Sequence, residues 1–436
     1  MWPGRCHMRR HCLEYAPSMK RLNDARILMY SHDTFGLGHL RRCRAIAHAL
    51  VERFKGLTVL IISGSQIAGA FDFKARVDFV KIPSVIKLYS GEYTSINEHI
   101  DIKDTLAMRE ALILETAELF DPDIFIVDKE PLGLHSEVEA TLIALKLKSC
   151  KTILGLRDVM DSPELLEEEW EKKGIISKVP SLYDEIWIYG PYDFWNPLQG
   201  LDIPERMINQ TRYMGFLERE APSTNRAPVQ SLPEEYILVT AGGGGDGENI
   251  MSWILAAREH DKSLDYPLVL ITGPFMKGDK YTEICERAAA LENVTVIDFD
   301  NELEHIIEGA KAVIGMCGYN TFCELISFDK PALYVPRTHP REEQLIRAAR
   351  ASVLDVADML DSENAKDPVQ MAEVLRELPN AAPPSASEWQ FALDGLPNIC
   401  DRVELLLRDS TGEHEPPLNV ALSSSSRLPH QENEPA

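Results

Sequence analysis

The chain has 436 residues, of which 44% are hydrophobic and 26% charged, and a formal net charge of -24. That length predicts two or three domains with sizeable cores, and the composition is that of an ordinary soluble protein. The acidic balance excludes a general nucleic-acid binder and adhesion to an anionic membrane through overall charge, and no apolar run is long enough to span a bilayer.

Residues 1–23 carry no periodic pattern and read as a tail, and Met19 reads as the true start, so residues 1–18 are expected not to be native. No apolar core follows Arg5, Arg9 and Arg10, so no secretory signal is read here. The 8 cysteines include no C-x-x-C pair, and several sit in apolar segments. They read as buried thiols in a reducing, cytoplasmic setting.

From residue 25 the pattern alternates strand and helix. Buried strands are predicted at 25–31, 58–63, 77–82, 123–128, 151–156 and 185–190, with helices at 40–54 and 104–120. This βαβ rhythm predicts a parallel sheet with helices on both faces. Residues 217–235 are rich in proline and polar groups and read as an interdomain linker. The rhythm then restarts, with strands at 236–240, 267–273, 294–299, 312–315 and 332–335. The α/β fold expected is therefore two doubly wound domains facing a cleft, 24–216 and 236–408. A polar segment, 409–436, reads as a disordered tail.

Three loops carry candidate chemistry. The first follows the first strand. Gly36 and Gly38 allow close backbone approach, and His39 stands at the helix start, where the dipole disfavours imidazolium. A neutral imidazole there suits a general base, and Arg42 suits an anion. The neighbouring Arg41 and Arg44 read as a solvated helix face. The second loop, 240–249, puts Gly243, Gly244 and Gly245 between a strand and a helix, where their amides suit a pyrophosphate. It is neither a dinucleotide fingerprint nor a P-loop. The third begins after the strand 312–315. Gly318 is expected to make a tight turn, Asn320 and Thr321 to cap a helix, and Gln344 to lie in a polar loop beyond the next strand. Thr321 and Glu324 also fit a capping box, which would leave Glu324 a purely local role. Asp128, Glu130, His135, Arg157 and Asp158 follow first-domain strands and read equally as acceptor contacts or as ordinary loop groups. Asp121-Pro-Asp123 and Asp298-Phe-Asp300 read as strand-flanking turns, and no residue spacing suggests a metal site.

The stretch 315–344 resembles the donor-sugar motif of GT-B glycosyltransferases. It is closest to family 28, which includes the enzyme that adds N-acetylglucosamine in lipid II synthesis. The resemblance covers roughly residues 25–408. It implies an inverting, metal-independent transferase that needs no cofactor beyond a nucleotide-sugar substrate, expected to be UDP-linked. Glu324 would bind the ribose and Gln344 the sugar, with Asn320, Thr321 and the 243–245 loop also on the donor. His39 would be the base, and Gly36, Gly38 and Arg42 would touch phosphate or acceptor. Arg347 stands where family 28 often has an asparagine. The segment Gly36, Gly38, His39, Arg42, Cys43 is also similar to nucleotide-sugar hydrolases of pseudaminic acid synthesis, so a hydrolase is one alternative. A non-catalytic nucleotide-sugar binder is another. The acceptor, whether glycan, lipid-linked or small molecule, is not implied. Polysaccharide biosynthesis in the cytoplasm, with peripheral membrane contact, is the expected setting.

Overall fold

The structure, a computed structural model, describes residues 24–32, 38–87, 93–96, 100–221, 232–243, 247–276, 278–300, 303–360 and 367–409. The strands of the first half are β1 (Arg26–Ser31), β2 (Thr58–Ser63), β3 (Val77–Lys81), β4 (Val85–Lys87), β5 (Tyr93–Ser95), β6 (Ile124–Asp128), β7 (Lys151–Arg157), β8 (Glu185–Tyr189) and β9 (Thr211–Tyr213). Seven of them form a parallel sheet in the order β3-β2-β1-β6-β7-β8-β9, while β4 and β5 make a separate antiparallel pair. The second half supplies β10 (Ile237–Thr240), β11 (Leu268–Ile271), β12 (Val294–Ile297), β13 (Ala312–Gly315), β14 (Ala332–Tyr334) and β15 (Asp358–Met359). These form a six-stranded parallel sheet in the order β12-β11-β10-β13-β14-β15.

The central strands are apolar throughout because both sheet faces are covered. In β1, Ile27 and Met29 share a core with the helix Gly38–Arg53, and Leu28 and Tyr30 join the core on the opposite face. In β10, Leu238 and the pair Ile237 and Val239 divide in the same way. In each sheet the strand order reverses once, between β1 and β6 and between β10 and β13. Crevices open at the carboxyl ends of strands at such points.

One core runs through both halves. Phe194 and Phe216 of the first meet Phe322 of the second and Trp389, with ring centroids 5.2 Å apart for Phe194–Phe216, 5.3 Å for Phe194–Phe322 and 5.5 Å for Phe194–Trp389. Such ring pairs add about 0.5–1.5 kcal/mol each beyond the area they bury. The helix Gly395–Asp409 follows the second sheet in the chain but packs on the first-domain helix Gly38–Arg53, burying Ile399, Val403, Leu406 and Leu407. The last helix of the segment 236–408 thus crosses back onto the first domain, a return that the GT-B resemblance leaves open for residues 389–408. A side chain at Gly395 would meet the Gly215 carbonyl at 2.6 Å, so glycine is required for this close approach. Asn398 and Arg402 secure the same helix on the Met214 carbonyl and on Glu185.

Candidate functional site

Both strand-order reversals open onto one cleft, and the wall of the first domain carries His39. The carboxylate of Asp128, at the end of β6, lies 2.6 Å from His39 Nδ1. Arg42 grips the same carboxylate from two nitrogens, at 2.7 and 2.6 Å. Burial works against the charge on Asp128, but Arg42 and His39 outweigh it and hold the carboxyl well below its usual range. An ionised Asp128 only accepts, so the 2.6 Å contact assigns the His39 proton to Nδ1 and the lone pair to Nε2, and Arg42 Nη2, 3.1 Å from Nδ1, then donates to Asp128 rather than to the ring. Burial lowers the His39 pKa to about 4 despite Asp128, and the imidazole is neutral at physiological pH. Asp128, left open between acceptor contact and loop group by sequence, is the group that orients the His39 ring. Arg42, expected on a phosphate or acceptor, is instead fixed on Asp128 and only 2% exposed.

The second domain's wall is built around the helix Tyr319–Ser327. Gly318 is its N-cap, and no side chain caps it. Asn320 and Thr321 thus lie inside the first turn and do not cap it, and the capping-box alternative for Glu324 falls with them. The turn expected at Gly318 comes from Cys317, which takes φ 61°, while Gly318 itself is extended at φ -63°. A side chain at Gly318 would meet nothing within 4 Å. The missing Cβ therefore leaves open space in the cleft.

Glu324 is fully buried behind Arg41 of the first domain. Arg41 Nη2 lies 2.6 Å from Glu324 and 2.9 Å from Glu304. Neither Glu324 oxygen has a well-aligned hydrogen bond among the described residues. Burial pushes the Glu324 carboxyl up to about 7 against the pull of Arg41. Arg41 thus occupies one Glu324 oxygen, and the carboxyl is held behind it, out of the cleft lining. Arg41, read from sequence as a solvated face, is a cross-cleft contact. Arg44 is likewise not a solvated face: it is partly buried, with its guanidinium 5.3 Å from the Phe71 ring centre.

Asn320 lines the cleft, but its amide is already engaged. It donates to the Gly38 carbonyl at 2.9 Å and accepts from Arg219 at 3.0 Å, tying the two domains together. Gly38, Gly243, Thr321 and Gln344 also line the cleft. Gln344 accepts from the Arg337 amide at 3.1 Å, which leaves its own amide nitrogen for a ligand. Gly36, Gly244 and Gly245 lie outside the described residues.

Other candidates have structural partners. Glu130 is buried between Lys129 and Lys173 at 3.0 and 3.1 Å. His135 is exposed against Tyr93. Asp158 and Arg347 form a fully buried pair between the domains, at 2.7 and 2.8 Å. Arg347 is thereby accounted for as an interdomain clamp. Asp123 accepts from the Arg26 amide, as a strand-flanking residue would, but Asp300 faces the cleft. The cleft encloses about 220 Å³, below the roughly 300–1,000 Å³ of small-molecule sites. Among the described residues no group of three His, Cys, Asp or Glu side chains is arranged to hold a metal ion, and no helix is long and apolar enough to cross a membrane.

Comparison with known proteins matches residues 237–394 to the family profile "Glycosyltransferase family 28 C-terminal domain". An uncharacterized glycosyltransferase of Methanosarcina acetivorans is 26% identical over 335 residues, 71% of this chain and 79% of that protein. A UDP-N-acetylglucosamine–N-acetylmuramyl-(pentapeptide) pyrophosphoryl-undecaprenol N-acetylglucosamine transferase of Bacillus thuringiensis is 22% identical over 147 residues, 34% of this chain and 40% of its own. Among solved structures, Acinetobacter baumannii MurG superimposes with a TM-score of 0.52 at 12% identity, covering 88% of this chain and 99% of that one.

Proposed function

The chain is a family 28-like glycosyltransferase with the GT-B fold, and from that premise we propose that it moves a sugar from a UDP-linked donor to an acceptor hydroxyl with inversion. The observation that carries this reading is the His39–Asp128 pair, with Nδ1 engaged at 2.6 Å and Nε2 left toward a cleft whose other wall is the family 28 domain. In the proposed step His39 Nε2 takes the proton of the acceptor hydroxyl. The acceptor oxygen bonds to the anomeric carbon from the face opposite the diphosphate. The bond from that carbon to the diphosphate oxygen breaks, and the electron pair leaves with the nucleoside diphosphate. General-base help of this kind is worth about 10²–10⁴ in rate.

The donor lies along the second domain. Amides at Gly243 and at the start of the helix Tyr319–Ser327 hold the diphosphate, and Gln344 the sugar. Fixed dipoles of this sort stabilise a leaving anion, so the proposed transfer needs neither a metal nor a cofactor. Glu324 accepts from the ribose hydroxyls once Arg41 has moved. The reaction runs in the cytoplasm, at the inner face of the membrane if the acceptor is lipid-linked.

A donor screen tests the proposal. The protein is incubated with UDP-, GDP-, TDP- and CMP-sugars without acceptor, and melting temperature and released nucleotide are followed together. A ligand at 100 times its dissociation constant adds about 2.7 kcal/mol of stability, which is readily seen as a melting shift. Stabilisation by a UDP sugar with slow release supports the transferase. Fast, saturable release would favour the hydrolase, which has no support among the relatives named above. Stabilisation with no turnover under any acceptor would leave a binder, and no stabilisation at all would end the nucleotide-sugar reading.

A further inference from the structure

Asp128 and Gly155 are partners in the β6–β7 register, so Arg157, two residues further along β7, stands beside the His39–Asp128 pair on the first-domain wall of the cleft. Its surroundings are rich in cations, and the others have carboxylates. Arg42 holds Asp128, Arg347 holds Asp158, Arg337 holds Glu343, and Arg341 bridges Asp161 and Glu169. Arg157 alone among these has no ion pair or hydrogen bond among the described residues, and its Nε is buried without a partner. Burial lowers its pKa to about 10. The field of Glu343 favours the cation, while Arg347, Arg42 and Arg341 oppose it. The guanidinium is therefore charged at neutral pH in a setting where an unpaired charge is costly. Its planar fork matches an oxyanion on two points.

We propose that Arg157 is the acceptor-selecting residue of this site. It holds a phosphate or carboxylate group that the acceptor carries close to the hydroxyl deprotonated by His39. The inference rests on the transferase reading above, which assigns the donor diphosphate to the opposite wall, at Gly243 and Gly318. Acceptors with an anionic group near the reacting hydroxyl are thus substrates, and neutral glycans are poor ones.

The test uses inorganic phosphate as the probe, titrated by calorimetry into the full chain already saturated with UDP. Wild type is expected to bind phosphate beside UDP. Arg157→Met should weaken phosphate binding at least tenfold and leave UDP affinity within twofold. Arg157→Lys, which keeps the charge but loses the fork, should fall between them, and melting curves check that each variant folds. Phosphate that competes with UDP would assign Arg157 to the donor diphosphate and overturn the proposal. So would phosphate bound equally by Arg157→Met, or not bound by UDP-loaded wild type. A wild-type protein that fails to bind UDP would sink the transferase reading itself, and the acceptor assignment with it.

Discussion

At the scale of single residues the site turns on which atoms have partners. His39 is neutral in the folded protein down to about pH 4, whereas an unfolded chain protonates histidine near 6.5. Under saturating donor, kcat is therefore expected to stay level from pH 8 to about 5 and to fall only near pH 4. An acid limb near 6.5 would contradict the burial of this imidazole. Between the two pKa values the unfolded state binds more protons, so the same group makes stability fall as pH is lowered through that window. His39→Ala should cut turnover by about 10²-fold or more with UDP affinity nearly unchanged. Asp128→Asn should slow turnover similarly, because its amide can present a donor to Nδ1 and shift the proton to Nε2. Normal turnover in either variant would remove the pair from the mechanism. His39 could be picked out of the sequence because a glycine loop and a helix start surround it. Asp128 was visible only as a residue at a strand end. Arg41 was misread because one of its partners, Glu304, is 263 positions away, and no local pattern encodes a contact across two domains.

At the scale of elements, the long apolar runs such as 58–63 and 312–315 became strands with those bounds, because strands covered on both faces need nothing else. The edge strands β9 and β15 were not foreseen. Thr211–Tyr213 and Asp358–Met359 are too short and too polar to stand out, and only their neighbours' unpaired backbone defines them. The helix Tyr319–Ser327 was anticipated, but its start lay earlier than its best capping residues. Two substitutions separate its functions. Gly318→Ala should leave thermal stability unchanged, since φ is -63° and a methyl meets nothing within 4 Å. It should nevertheless weaken UDP binding, because that methyl enters the cleft, and unaltered UDP affinity by calorimetry would mean that no donor passes there. Phe322→Ala, at a fully buried position among Phe194, Phe216 and Tyr334, should instead cost about 3–5 kcal/mol in denaturant unfolding.

For the molecule as a whole, the two domains and the cleft were legible from the repeated strand-helix rhythm, but their mutual closure was not. Closure depends on buried pairs that join distant segments, above all Asp158 with Arg347. Asp158→Ala should destabilise by about 3–5 kcal/mol, because it leaves Arg347 buried and uncompensated. The double variant Asp158→Ala with Arg347→Met should recover part of that loss, and strictly additive losses in urea unfolding would show that the two side chains act independently. The returning helix has a further bearing, on biogenesis. The face of the helix Gly38–Arg53 that Ile399, Val403 and Leu407 cover belongs to the first domain to be synthesised. That domain can form early on the ribosome, but the outer face of this helix stays bare while the whole second domain is translated. A premature stop just before residue 395 would thus injure the older half of the molecule, leaving an exposed apolar surface on a domain whose own codons are intact.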